Sequence, residues 1–133
     1  MAGLQRLGWT VFRSLYALYF LFVGVTIVRM LMVHGPGVVQ PNPASAAFMG
    51  ALRDSGFMLP AMAATYLLGG LALIVPRTAP LGVVLLAPVV GIILLFHLNL
   101  TGRILWGGGW ALGLALLAWH YRGSYVGLWS RRD

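Results

Sequence analysis

Four stretches of this chain carry almost no charge and are long enough to cross a lipid bilayer: residues 9–33, 57–75, 81–100 and 105–121. A spanning helix needs about 20 mainly apolar residues, because the hydrocarbon core of a bilayer is about 30 Å thick. Lipid offers no hydrogen-bond partner to the backbone, so each stretch must form a helix whose hydrogen bonds close internally. The sequence therefore predicts an all-α fold: a single transmembrane domain over residues 1–133, built as an integral membrane four-helix bundle.

The composition supports this prediction and excludes several kinds of chemistry. Charged residues make up 8% of the chain, against about 25% in soluble domains. The four stretches and their connections use nearly the whole chain, which leaves no room for a separate soluble catalytic domain. Cysteine is absent, which excludes disulfides, thiolate metal ligands and thiol redox chemistry. The formal net charge of +7 indicates orientation in a membrane rather than binding of nucleic acid.

The arginines predict that orientation. With four spans, six arginines share one face of the membrane, and three lie toward the other. The first group is Arg6, Arg13, Arg77, Arg122, Arg131 and Arg132, and the second is Arg29, Arg53 and Arg103. Basic residues concentrate on the cytoplasmic side, so both termini are predicted to lie in the cytoplasm. The first stretch lacks a small-residue cleavage site, which predicts a retained signal anchor.

The connections predict one further helix and one tight hairpin. Residues 44–54 place small and apolar side chains on one face at helical spacing, which indicates a short amphipathic helix in the first outer loop. Ser45 is its expected start and Gly56 its expected stop. In the second connection, Pro80 suits the first turn of the next helix. The second and third spans are therefore expected to form an antiparallel hairpin.

The fourth stretch contains two patterns that predict packing and depth. Gly109 and Gly113 have the four-residue spacing that lets helix backbones approach, and packing within the bundle is favoured over a dimer face. Trp106 and Trp110 are expected at the outer membrane interface and Trp119 at the inner one, because amphipathic aromatic rings concentrate there.

Ionisable residues at membrane depth are costly and often functional. Toward the outer face, a polar cluster is geometrically feasible for Arg29, His34, Arg53, Asp54, His97 and Arg103. Arg29 either reaches the lipid headgroups or faces inward to bind an anion or a quinone carbonyl. His97 makes a structural hydrogen bond or binds a ligand, with metal or haem ranked last because carboxylates and thiolates are scarce or absent.

A second polar group is expected toward the inner half of the bundle. Arg13 with Tyr16, Tyr19 and Tyr66 forms a polar site there, or else the arginine reaches the headgroups and the rings are packing residues. Tyr66 is able to donate a hydrogen bond in either case. No catalytic residue and no metal-binding residue is predicted.

Several short motifs occur in the order and spacing seen in a known family. They are Ser55-Gly56-Phe57 followed by Pro60, the Gly69-Gly70 pair, and Ala87-Pro88 leading to Phe96-His97-Leu98. Through these motifs the chain resembles the DoxX-like family of small four-helix bacterial membrane proteins. The resemblance covers the first three spans and the first loop, roughly three quarters of the chain, and is weaker over the fourth span.

The resemblance implies a link to membrane redox systems, such as quinone-linked thiosulfate oxidation and oxidative-stress complexes. Two departures from the family pattern bear on activity. Tyr66 stands where members often carry a glutamate before the paired glycines. Gly24 lacks the lysine that tends to follow it, and Arg29 is the nearest cation. A buried carboxylate for proton transfer is therefore missing.

Three functions remain open at this point. The first is a quinone-binding or other small-ligand-binding component of a membrane redox system, without a catalytic centre of its own. The second is an accessory or assembly protein that binds another membrane protein. The third is a small-molecule transporter, which for a chain of four spans would have to act as a homo-oligomer.

Overall fold

The computed structural model describes residues 1–34 and 37–130, and this part of the chain is all-helical. Its six α-helices are α1 (Ala2–Val33), α2 (Pro43–Asp54), α3 (Met58–Ile74), α4 (Ala79–Phe96), α5 (Ile104–His120) and α6 (Arg122–Trp129). A π-helical segment, His97–Thr101, continues α4. The predicted all-helical fold is confirmed, and α6 is an addition to it. Arg131 and Arg132, placed on the cytoplasmic face from the sequence, lie outside the described residues.

Two helices are long and apolar enough to cross a membrane. They are Ala2–Val33 and the continuous stretch Ala79–Thr101. The pair Pro43–Asp54 and Met58–Ile74 would be a third span, but it is bent by 89°. Ile104–His120 is apolar and shorter. These features are consistent with the predicted membrane protein.

The long helices pack as antiparallel neighbours. Across α1 and α3, Gly24 faces Leu67 while Gly70 faces Ala17 and Leu21. Residue numbers therefore increase along α1 in the direction in which they decrease along α3, so the two helices are antiparallel. The same relation holds between α3 and α4, whose short connection places Pro80 in the first turn of α4, as predicted.

Glycines set the spacing where the helices approach most closely. A Cβ added at Gly82 would lie 2.6 Å from the backbone nitrogen of Leu73 and 2.8 Å from the carbonyl oxygen of Gly69, so the backbones of α3 and α4 meet there. A Cβ at Gly113 would lie 2.8 Å from the Tyr16 ring, whereas one at Gly109 would meet nothing within 4 Å. Packing inside the bundle is therefore confirmed for Gly113 and wrong for Gly109.

The outer helix α2 begins at Pro43, not at Ser45 as predicted. Asn42 caps it, because the Asn42 side chain accepts a hydrogen bond from the Ser45 backbone nitrogen at 2.9 Å. The amide nitrogen of the same side chain donates to the carbonyl oxygen of Leu100, which ties the start of α2 to the π-helical segment. Gly56 has φ +75 just beyond the helix end, as expected for a stop signal.

Helix α6 closes the end of the bundle opposite α2. The Tyr125 hydroxyl donates a hydrogen bond of 2.9 Å to the carbonyl oxygen of Pro80, which links α6 to the start of α4. Burial, and to a lesser extent Tyr121, raises the pKa of the Tyr125 phenol above its ordinary value. Trp9 stacks on His120 at the same end, with ring centroids 4.3 Å apart. The Tyr125 hydrogen bond and the stacked Trp9 and His120 rings thus lie at the same end of the helices.

Candidate ligand cavity

A cavity of about 590 Å³ lies between α1, α3 and α4, with α2 and the loop before it forming part of its wall. Small-molecule sites in proteins typically enclose about 300–1,000 Å³ and are mainly apolar with a few polar groups. This cavity fits that description in both size and lining.

Helix α1 contributes one continuous face to the cavity: Tyr19, Phe22, Val23, Thr26, Ile27 and Met30. This spacing of three and four residues places all six side chains on the same side of a helix. From Tyr19 to Met30 the face is about 16 Å long at about 1.5 Å per residue. The cavity is therefore elongated along the helix axis.

At its inner end the cavity is lined by the phenol of Tyr66. Tyr66 is only 3% exposed, and its ring stacks on Phe20 with centroids 5.6 Å apart. Within residues 1–34 and 37–130 its hydroxyl makes no hydrogen bond, whereas that of Tyr16 donates to the carbonyl oxygen of Trp110 at 2.8 Å. In the same part of the chain, the fully buried side-chain atom that lacks a partner is Nε of Arg13. Tyr66 therefore offers an unused hydrogen bond to an occupant.

At its outer end, which is the end beside α2, the cavity is lined by Arg53. The guanidinium reaches from α2 back toward α1, where Nη2 lies 3.6 Å from the sulfur of Met30. A thioether is a weak acceptor, and arginine carries a permanent charge with five donors. Arg53 is therefore placed at the mouth of an apolar cavity with a poor partner.

His97 lines the same outer part of the cavity. Its Nδ1 lies 2.8 Å from the carbonyl oxygen of Ile93. A carbonyl only accepts, so Nδ1 carries the proton, and Nε2 remains free to accept in the neutral ring. The absence of a side chain at Gly107 lets α5 pack against this residue, since a Cβ there would lie 2.8 Å from the Cβ of His97.

The structure brings together three of the residues predicted for the site. Arg53, His97 and Tyr66 all line the cavity. The remaining candidates do not line it: Arg29, His34, Asp54 and Arg103. More than forty residues separate Arg53 from His97 in the sequence, so it is the fold that brings their side chains to one cavity.

The second polar group predicted for the inner half is divided in the structure. Arg13 is buried, and its Nη1 donates to the Tyr121 hydroxyl at 3.0 Å. Tyr19 and Tyr66 instead belong to the cavity. The ring of Tyr19 stacks on Trp110 at 3.8 Å. Trp110 thus packs against the core, and its place at the outer membrane interface stays a prediction.

Sequence reasoning missed several residues of the lining, among them Thr26, Gln40 and Trp106. The signal for Thr26 was present, because its spacing from Tyr19 and Met30 places all three on one face of α1. Gln40 lies in an irregular segment, where no periodicity indicates the direction of a side chain.

The cavity reaches the side of the bundle. Phe22 and Ile92 both line it, yet they are 68% and 38% exposed. Their outward faces lie on α1 and α4, the two helices long enough to cross a membrane. A molecule dissolved in lipid would therefore meet the cavity from the side.

Metal binding has no support in the part of the chain that the structure describes, where no group of three or more metal-binding side chains occurs. Comparison with known proteins yields no match to a family model, to a curated protein or to a solved structure.

Proposed function

We propose that this chain is a four-span protein of the bacterial cytoplasmic membrane that binds a small apolar ligand and has no catalytic centre of its own. The unpartnered hydroxyl of Tyr66, facing a largely apolar cavity, is the observation that carries the proposal. A ligand with a hydrogen-bond acceptor would satisfy this phenol, and the apolar walls would bind the rest of the molecule.

A quinone is the ligand class that we propose first. Its carbonyl oxygens are acceptors for Tyr66, and its flat ring suits the aromatic side chains of the lining, which include Tyr19 and Phe96. The resemblance to the DoxX-like family agrees with this choice and would place the protein in a membrane redox system.

Replacing Tyr66 by phenylalanine is expected to weaken quinone binding about five- to tenfold. The change removes one hydroxyl, and a hydrogen bond contributes about 1 kcal/mol. The measurement is titration of the detergent-solubilised protein with a decyl-tailed benzoquinone, followed by quenching of tryptophan fluorescence.

Tyr125→Phe is the matched control, because its phenol is bonded at the other end of the bundle. Equal affinity for Tyr66→Phe and the unchanged protein would contradict the proposal. An empty cavity in a protein that copurifies with another membrane protein would favour the accessory role instead.

The proposed topology is testable with single cysteines, since the chain has none of its own. We expect Ala44→Cys, on α2, to react with a membrane-impermeant maleimide added to intact cells. Arg77→Cys and Ser124→Cys should react only after the cells are opened, because both lie at the other end of the bundle. Labelling of all three in intact cells would overturn the assignment of cytoplasmic termini.

A further inference from the structure

We propose that the occupant of the cavity also carries a negative charge, which binds Arg53 at the outer mouth. The ligand class is then a single-chain anionic amphiphile whose far end bears a neutral acceptor for Tyr66. This inference rests on the proposed binding of a small, mainly apolar ligand in the cavity, and it names an alternative to the quinone, which carries no charge.

The first argument is the balance of charge in the lining. Arg53 is a permanent cation, and among the described lining residues no carboxylate is present to offset it. Asp54 follows Arg53 directly in the sequence but does not line the cavity. Arg53 is itself exposed, and a cation without a counter-charge in the lining favours an anionic ligand.

The second argument is the state of the other polar groups. Thr26 donates to the carbonyl oxygen of Phe22 at 2.8 Å, and Gln40 donates to that of Val38 at 3.0 Å. The Nδ1 of His97 is bonded to its own helix. Arg53 has only a thioether partner, and among the described residues the hydroxyls of Tyr66 and Tyr19 and the ring nitrogen of Trp106 have none. These lining groups therefore keep the most hydrogen-bonding capacity.

The third argument is the separation of Arg53 and Tyr66. Arg53 contacts Met30, and Tyr66 stacks on Phe20. These two contacts lie about 15 Å apart along α1 at about 1.5 Å per residue. The wall between them is the mainly apolar face of α1, which suits a hydrocarbon chain. Polar groups at both ends of such a chain match the cavity.

The test compares two probes that differ at one end. The probes are ω-hydroxydodecanoate, which is charged, and dodecanediol, which is neutral and has the same chain length. Displacement of a fluorescent lipid analogue from the purified protein measures both. We expect the acid to bind about tenfold more tightly than the diol, because charge-assisted hydrogen bonds are about twice as strong as neutral ones. Equal affinities would overturn the proposal.

Variants of Arg53 then test whether the preference for the acid over the diol arises at the outer mouth of the cavity. Arg53→Gln should remove the preference for the acid, and Arg53→Lys should keep part of it. Arg103→Gln is the matched control, because Arg103 is exposed and lies outside the lining. A parallel series uses dodecyl phosphate in place of the acid. The proposal is supported if the binding of either anion is weakened by Arg53→Gln. A preference for the acid that survives in Arg53→Gln would overturn it.

A variant with a filled cavity distinguishes a failure of this inference from a failure of the proposed function. Met62→Trp adds bulk to the lining and should abolish binding of both probes. If it leaves both bound, the cavity is not the site and the proposed function fails as well. If it abolishes both while Arg53→Gln leaves the affinities unchanged, only the charged end of the ligand is wrong.

Discussion

Truncation of Phe20 to alanine is expected to lower the free energy of unfolding by about 2–3 kcal/mol. Phe20 is fully buried, and its ring contacts those of Tyr16, Tyr66 and Trp110. In a soluble core such a change costs about 3–5 kcal/mol. Lipid solvates an apolar side chain as well as a protein core does, so mainly the loss of packing around the new void remains.

The matched control is Phe22→Ala, two residues further along the same helix. Phe22 is 68% exposed, so its removal leaves no enclosed void, and we expect a loss below about 1 kcal/mol. Unfolding of the ligand-free protein in mixed micelles, monitored by circular dichroism, measures both variants. Equal losses for the two phenylalanines would show that Phe20 is not at the centre of the core.

Gly82→Ala is expected to destabilise the protein by about 1–3 kcal/mol, or to force α3 and α4 apart. The added methyl group would lie 2.6 Å from a backbone nitrogen of the facing helix. Backbone atoms have no alternative rotamer, so the helices themselves must move. This destabilisation is opposite to the usual effect of a glycine-to-alanine change, since alanine normally stabilises a helix by about 1 kcal/mol relative to glycine.

Gly91→Ala on the same helix separates packing from helix propensity. A Cβ at Gly91 would meet nothing within 4 Å, so this variant should be as stable as the unchanged protein or more so. The same unfolding measurement compares the pair. A stable Gly82→Ala protein would mean that α3 and α4 are not in backbone contact.

The approximate helix positions were predictable because each apolar run is long enough to form a helix, although α1 begins at Ala2, before the predicted start of its apolar run at Trp9. The prediction for α2 was right in kind and two residues late in its start, because Asn42 and Ser45 are both good capping residues and only the fold shows which one caps. Helix α6 was missed because its sequence, residues 122–129, combines two glycines with little hydrophobic periodicity. Its hydrogen bond to Pro80 is a long-range contact that no local pattern encodes.

The candidate site was predictable only in part, because the sequence does not determine how each helix is rotated about its own axis. The sequence indicates which residues lie near the outer end of the bundle, and Arg29, Arg53 and His97 all satisfy that condition. It does not indicate which way each one faces, because the spans are apolar on all sides and lack the polar stripe that orients a helix in a soluble protein. Contacts between helices decide this, and they turn His97 toward the cavity and Arg29 away from it.

The sideways exposure of Phe22 and Ile92 has a consequence for how occupancy would depend on concentration. A ligand that enters between α1 and α4 comes from the bilayer, so the relevant quantity is its mole fraction among the lipids. Adding empty vesicles at constant total ligand would then dilute the ligand and empty the site, although the aqueous volume is unchanged. The occupancy of the site would then depend on the composition of the membrane rather than on the concentration of ligand in the surrounding water.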